Sequence, residues 1–400
     1  MEVEIGRGRK VRQGYGFDDI AIVPSRRTRD PDDIDITWTL GPYRFELPLL
    51  ASAMDGVVSP STAIEVGKLG GLAVLNLEGI WTRYEDADTQ LERIAATPPE
   101  LSTVTMQEIY AEPVKPELIA QRIEEIKAGG AVACGSLTPQ RVRQYHEGAL
   151  GAGLDIMVVQ GTVISAEHVS STAEALNLNE FIADVEVPCI LGGCASYSTG
   201  LHLMRTGAVG VLVGVGPGAA CTTRGVLGIG VPQATAIADV AAARSQHMVE
   251  TGQYCNVIAD GGMRTGGDVS KAVACGADAV MVGSPLARAT EAPGRGYHWG
   301  MATFHPSLPR GTRVKTDQDG TLDQILLGPA RENDGTFNLM GALRTSMATC
   351  GYEDIPSFHR SEIMIAPALQ SEGKQLQREQ AVGMGSNGRA AVPAAVVSDD

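Results

Sequence analysis

Eight short apolar runs recur along the chain, each ending in a glycine or a polar turn, with helical patterns between them. They are Leu49–Ala53, Leu72–Asn76, Ala131–Cys134, Ile156–Gln160, Cys189–Gly192, Val209–Gly214, Asn256–Asp260 and Asp278–Gly283. None alternates cleanly between apolar and polar residues. Continuous apolarity marks strands buried on both faces, as in an all-parallel sheet. Helical patterns intervene at Pro60–Leu69, Leu118–Lys127, Thr199–Thr206, Pro232–Gln246 and Gly267–Cys275. In the last of these Asp268 supplies a start signal and Cys275-Gly276 a stop. Strands alternating with helices imply parallel βαβ units. Eight such units predict an α/β fold closed as a (β/α)8 TIM barrel. An open doubly wound sheet would carry a GxGxxG turn after its first strand. The first run leads instead into Ser52-Ala53-Met54-Asp55-Gly56.

The connection after the second run is the longest and holds Trp81–Tyr84 and the proline-containing Ala96–Pro116. It is too short for an inserted pair of domains. One barrel domain is therefore expected over residues 1–370. From Glu372 the chain turns polar and then Gly/Ala/Val-rich, so residues 371–400 are expected to be a disordered tail.

Composition narrows the partners. Glycine occurs 48 times and aromatics make up only 4%, which suits many tight strand-to-helix turns. A net charge of -15 argues against a nucleic acid polymer, whose binders need a basic footprint. No apolar run is long enough to span a bilayer, so no membrane partner is expected. The charged start, Met1 to Arg12, does not read as a signal peptide. Seven cysteines without a CxxC pair read as reduced thiols of a soluble, cytoplasmic protein, and Cys189, Cys255 and Cys275 fit buried core positions.

Barrel active sites form at the C-terminal ends of the strands. Residues there that can carry chemistry are Ser52, Met54 and Asp55; Asn76 and Glu78; Gln160 and Thr162; Gly192-Gly193-Cys194; Gly214 to Arg224; Asp260-Gly261-Gly262; Gly283-Ser284. Either of the last two alone reads as a tight turn. Together, after strands seven and eight, they point to a phosphate held by backbone N–H groups and a short helix N-terminus. The run Gly214-Val215-Gly216-Pro217-Gly218-Ala219-Ala220-Cys221-Thr222-Thr223-Arg224 sets a cysteine in a constrained, polar loop off any apolar face. Such a setting, with Arg224 and free N–H groups nearby, suits a nucleophilic thiolate, and tight-loop carbonyls can ligate a cation. His298 and His305 lack a third metal ligand at suitable spacing and read as solvated or packing residues.

These pieces together resemble the IMP dehydrogenase / GMP reductase family. The matching segments are Ser52-Ala53-Met54-Asp55, Gly216–Arg224, Gly228-Ile229-Gly230-Val231-Pro232-Gln233, Asp260-Gly261-Gly262-Met263-Arg264, Gly276–Ser284 and Gly341-Ala342-Leu343-Arg344. The resemblance implies a purine nucleoside monophosphate as substrate and NAD or NADP as cofactor. Cys221 would attack purine C2, with Thr223 assisting. Asp260 would hold the ribose hydroxyls, and Gly261 lies beside it in the same loop. Gly262, Gly283 and Ser284 would hold the phosphate, with Ser52 and Met54 flanking the nucleotide. Carbonyls of Gly216, Gly218 and Cys221 would bind K+. The family also implies a homo-oligomer, tetramer or octamer, in which a neighbouring subunit completes the cation site.

The chain departs from the family pattern at several points, resembling its branch without CBS domains. Ala219 stands where a phosphate-binding serine is expected. Gln160 ends the stretch where an aspartate would orient the nicotinamide, and Cys194 stands for an asparagine. Met301–Gly320 is short and lacks the Arg-Tyr pair of the dehydrogenases; Arg310 and Arg313 are the nearest candidates, and the reductases' glutamate has no clear counterpart. Three readings stay open: an IMP dehydrogenase, a GMP reductase, and a nucleotide-binding regulator without turnover.

Overall fold

The computed structural model describes residues 2–164 and 176–384. Eight parallel strands close into a barrel in chain order. They are β1 (Leu49–Ala51), β2 (Leu72–Asn76), β3 (Cys134–Leu137), β4 (Ile156–Gln160), β5 (Cys189–Cys194), β6 (Gly210–Val213), β7 (Asn256–Asp260) and β8 (Ala279–Val282). β8 pairs with β1 and completes the ring.

The strands are buried on both faces, and alternate residues feed two separate cores. Leu50, Leu72, Val74, Ile156, Val158, Ile190, Leu212, Ile258 and Met281 fill the lumen. Leu49, Leu75, Met157, Val159, Leu191, Val211, Val257 and Val280 face the surrounding helices. Each large apolar side chain so buried contributes roughly 1.5–3 kcal/mol. A hairpin of Trp38–Leu40 and Tyr43–Phe45 plugs the N-terminal end of the lumen. Trp38 stacks on Phe45 at 5.3 Å, and its indole N–H donates to the Leu47 carbonyl at 2.7 Å.

Seven predicted runs coincide with strands to within two residues at each end. The third does not. Residues 131–133 form a connection in which the Ala133 N–H is held by the Asp155 carboxylate at 2.8 Å, and pairing begins at Cys134. The strand proper contains Gly135 and Ser136, which carry no apolar signal. Gly135 is required there, because a Cβ would lie 2.6 Å from Leu77 Cδ1.

The outer helices are α1 (Pro60–Lys68), α2 (Ala87–Ala96), α3 (Ser102–Tyr110), α4 (Pro116–Ala128), α5 (Val142–Gly151), α6 (Leu178–Asp184), α7 (Tyr197–Met204), α8 (Thr223–Leu227), α9 (Gln233–Thr251), α10 (Gly266–Ala274), α11 (Leu322–Leu326) and α12 (Leu339–Thr349). α10 is capped by Thr265, whose hydroxyl accepts the Asp268 N–H; Asp268 lies inside the first turn rather than opening it. Helices α2 and α3 fill the long connection after β2. Residues 297–315 fold back along the barrel mouth as a strap, with Tyr297 paired to Lys315 and His298 to Val314. The expected disordered tail is corrected in part: Gln375–Glu379 is a short helix, and 385–400 lies outside the described residues. Among the described residues no helix is long and apolar enough to cross a membrane.

The tight lumen gives a test. A Cβ on Gly192 would lie 2.3 Å from Leu212 Cβ and 2.8 Å from the Leu212 carbonyl oxygen. Gly192→Ala should cost about 1–3 kcal/mol by overpacking, read as a lower urea midpoint at unchanged slope. A wild-type midpoint would mean that β5 and β6 can part freely at this level.

Candidate active site

The mouth of the barrel opens into a cavity of about 1390 Å³. That exceeds the roughly 300–1,000 Å³ of a pocket for one drug-sized ligand, so two ligands of nucleotide size can share it. Cys221, Thr223, Ser52, Met54, Asp260, Gly261, Gly262, Gly283, Ser284, Gly216 and Gly218 all line this cavity. The structure thus brings these eleven residues to one opening, while Asn76 and Glu78 are not on its lining.

Cys221 is partly exposed, while Thr223 is fully buried at the start of α8. The thiol donates to Thr223 Oγ1 at 3.1 Å. The loop is held from outside by the strap. Thr222 N–H donates to the Arg310 carbonyl at 3.0 Å, and Thr312 N–H to the Ala220 carbonyl at 2.9 Å. Cys221 and Gly311 form an antiparallel bridge between them. The thiol itself lies 3.7 Å from the Arg310 carbonyl oxygen.

The expected help of Arg224 at the thiol is corrected. Its Nε donates to the Val215 carbonyl at 3.2 Å and its Nη2 to the Val231 carbonyl at 2.7 Å. Arg224 therefore ties the two ends of the loop together. Arg313 is likewise committed, donating to the Ile94 and Thr97 carbonyls with its guanidinium 4.3 Å from the Tyr297 ring centre. Arg310 lines the cavity.

Against the cysteine loop, Gly261 and Gly262 both take left-handed φ, +73° and +81°. A Cβ on Gly262 would lie 2.9 Å from Pro217 Cβ, so the β7 turn packs directly on the cysteine loop. A Cβ on Gly283 would lie 2.6 Å from Met54 Sδ, which places Met54 against the β8 turn. The helix expected after Ser284 is a single 3-10 turn, Leu286–Arg288. Asp55 and Cys194 do not reach the cavity. Asp55 turns into the protein, and burial pushes the Cys194 thiol up to about 12, so it is inert at neutral pH.

Two cavity residues make contacts that the sequence reading did not assign to them. His298 is fully buried, and its Nε2 lies 2.7 Å from Ser284 Oγ. Burial holds its pKa down near 4, so the ring is neutral, and Nδ1 lacks a partner among the described residues. Gln160, in the expected aspartate's place, donates from Nε2 to Asp260 Oδ2 at 3.3 Å. Its Oε1 lies 3.4 Å from Ser136 Oγ. Only the folded strand ends bring these residues together, and no local pattern announces it. Burial pushes the Asp260 carboxyl up to about 7, against the lowering effect of Gln160.

The family described as IMP dehydrogenase / GMP reductase domain matches residues 14–306. An uncharacterised oxidoreductase of Mycolicibacterium smegmatis is 46% identical over 367 residues, covering 90% of this chain and 98% of that protein. The inosine-5'-monophosphate dehydrogenase of Methanocaldococcus jannaschii is 25% identical, covering 91% and 95%. The crystal structure of an IMP dehydrogenase/GMP reductase-like protein from Corynebacterium glutamicum superposes with a TM-score of 0.87 at 45% identity, covering 91% and 97%.

Asp260 predicts a pH effect. A carboxyl whose pKa rises on folding binds its proton more tightly in the folded state. Between the unfolded value of about 4 and the folded value near 7, stability therefore falls as pH rises. Asp260→Asn should be more stable than the parent at pH 8, by up to about 4 kcal/mol, with the gain fading towards pH 4. Melting curves across that range check it; an equal gain at both ends would contradict a buried, titrating Asp260.

Proposed function

The chain belongs to the IMP dehydrogenase / GMP reductase family of oxidoreductases, and from that premise we propose that it oxidises IMP to XMP. The observation that carries the reading is the Cys221–Thr223 pair, 3.1 Å apart, on the lining of the same cavity as Asp260 and the Gly283-Ser284 turn. A purine nucleoside monophosphate would lie between them. Asp260 would accept the ribose hydroxyls, the N–H groups around Gly262, Gly283 and Ser284 would hold the phosphate, and Met54 would flank the base.

The proposed chemistry uses the chain's own groups. Cys221 loses its proton and its sulfur adds to purine C2. C2 then gives up its hydrogen with the bonding electrons. Water attacks C2 of the remaining adduct, the C–S bond breaks, and XMP and the thiol are released. Thr223 accepts a hydrogen bond from the thiol at 3.1 Å and would orient the sulfur, while the thiol proton passes to solvent. Arg310, on the lining of the cavity, would orient the water. NAD or NADP, bound in the same cavity, would accept the hydride. The cavity volume leaves room for it beside the nucleotide.

The carbonyls of Gly216, Gly218 and Cys221 would hold K+. Gly218 O already accepts the Cys221 N–H at 3.1 Å, which leaves it one lone pair for a cation. Val226, Leu227 and Ile229 lie exposed just beyond this loop, as suits cover by a neighbouring subunit of a tetramer or octamer.

Purified protein should reduce NAD+ or NADP+ with IMP, and faster in K+ than in Na+. NADPH oxidation with GMP, without the IMP reaction, would instead identify a GMP reductase. Nucleotide binding without either turnover would identify a regulator. Cys221→Ala should abolish turnover while nucleotide Kd stays within about tenfold, on the order of 1.4 kcal/mol. Wild-type turnover in that variant would sink the mechanism.

A further inference from the structure

The helices filling the connection after β2 grip the strap that lies on the cysteine loop. Tyr110, the last residue of α3, is buried, and its hydroxyl donates to Asp55 Oδ2. The Tyr110 hydroxyl oxygen in turn accepts the Trp299 indole N–H at 2.7 Å. The Tyr110 ring stacks on Phe304 at 3.5 Å between centres, with only 5° between planes. One turn earlier, Gln107 Nε2 donates to the His305 carbonyl at 3.2 Å. At the other end of the strap, Arg313 donates to the Ile94 and Thr97 carbonyls at the end of α2.

Asp55 anchors this arrangement from the barrel side. It follows Met54 directly and is buried, with Oδ1 lacking a hydrogen-bond partner among the described residues. Burial raises its carboxyl to about 6 even though the Tyr110 hydroxyl acts to lower it. Space there is tight. A Cβ on Gly79 would lie 1.9 Å from Asp55 Oδ1, and one on Gly56 would lie 2.6 Å from the Tyr297 carbonyl oxygen. The loop after β1, the α3 terminus and the strap thus meet at one buried point. From there the strap runs to Arg310, Gly311 and Thr312, which pair with the loop carrying Cys221.

We propose that Tyr110 is a positioning residue for the chemistry at Cys221: with Gln107 and Arg313 it fixes residues 299–313 against the cysteine loop and so sets access to the thiol. The inference rests on the proposed role of Cys221 for its effect on turnover, but not for its effect on access. Fixing both ends of a strap removes the freedom that would let its middle lift. Removal of one buried hydroxyl that both donates and accepts should release the Trp299 end, while Phe at the same position keeps the ring stack.

The test is the rate at which iodoacetamide alkylates Cys221, followed at the peptide level by mass spectrometry, with nucleotide Kd and turnover measured on the same proteins. Tyr110→Phe and Tyr110→Leu should each raise the alkylation rate, by about tenfold for the first, in keeping with loss of a buried hydrogen bond. Turnover should fall by a similar factor with nucleotide Kd unchanged, which general loosening of the barrel would not produce. Gln107→Ala and Arg313→Gln remove partners near the surface and serve if the Tyr110 variants do not fold; each should raise alkylation in the same direction. Val104→Ala, on the exposed face of α3, should behave as the parent. Parental alkylation rates in all the folded variants that release the strap would overturn the proposal. Faster alkylation in a protein that turns over neither IMP nor GMP would uphold the grip and reject the oxidoreductase reading instead.

Discussion

The structure depends on strands that have no solvent face. Every barrel strand sends alternate side chains into a packed lumen and into the helix layer, so each strand serves two cores. With exceptions such as Ser136, polar side chains are kept out of the strand bodies by the same packing, because an unpaired buried polar group costs roughly 1–3 kcal/mol. They collect where the strands end. Ser52, Gln160, Asp260 and Ser284 share one opening for that reason, although they are far apart in the chain.

This is also why the fold was legible in the sequence and much of the site was. A strand buried on both faces writes itself as an unbroken apolar run, and its end as a glycine or polar turn. The exception is instructive. β3 carries Gly135 because Leu77, just after β2, would meet a Cβ there, and Ser136 meets Gln160 of β4 at 3.4 Å. Local sequence cannot show such crowding, so the expected run stopped where the strand begins. The cysteine loop and the β7 and β8 turns were readable because their glycines and nucleophile are contiguous.

What stayed hidden is held by contacts between distant segments. Arg224 sits three residues from Cys221, yet neighbouring carbonyls capture its guanidinium. His298 gives no periodic signal, and only the return of the strap sets it on Ser284. The Tyr110 contacts span the chain from residue 55 to residue 304. Titration follows the same logic. A net charge of -15 says little about a mouth where burial keeps His298 neutral and lets Asp260 carry its proton up to about pH 7.

The Trp38–Phe45 hairpin has a kinetic meaning as well as a structural one. With the lumen packed by Leu50, Ile156 and Met281 and stoppered at its far end, the cavity has a solid floor. Exchange with solvent then falls to the mouth, so the turns and the strap around it govern how fast a molecule can enter or leave.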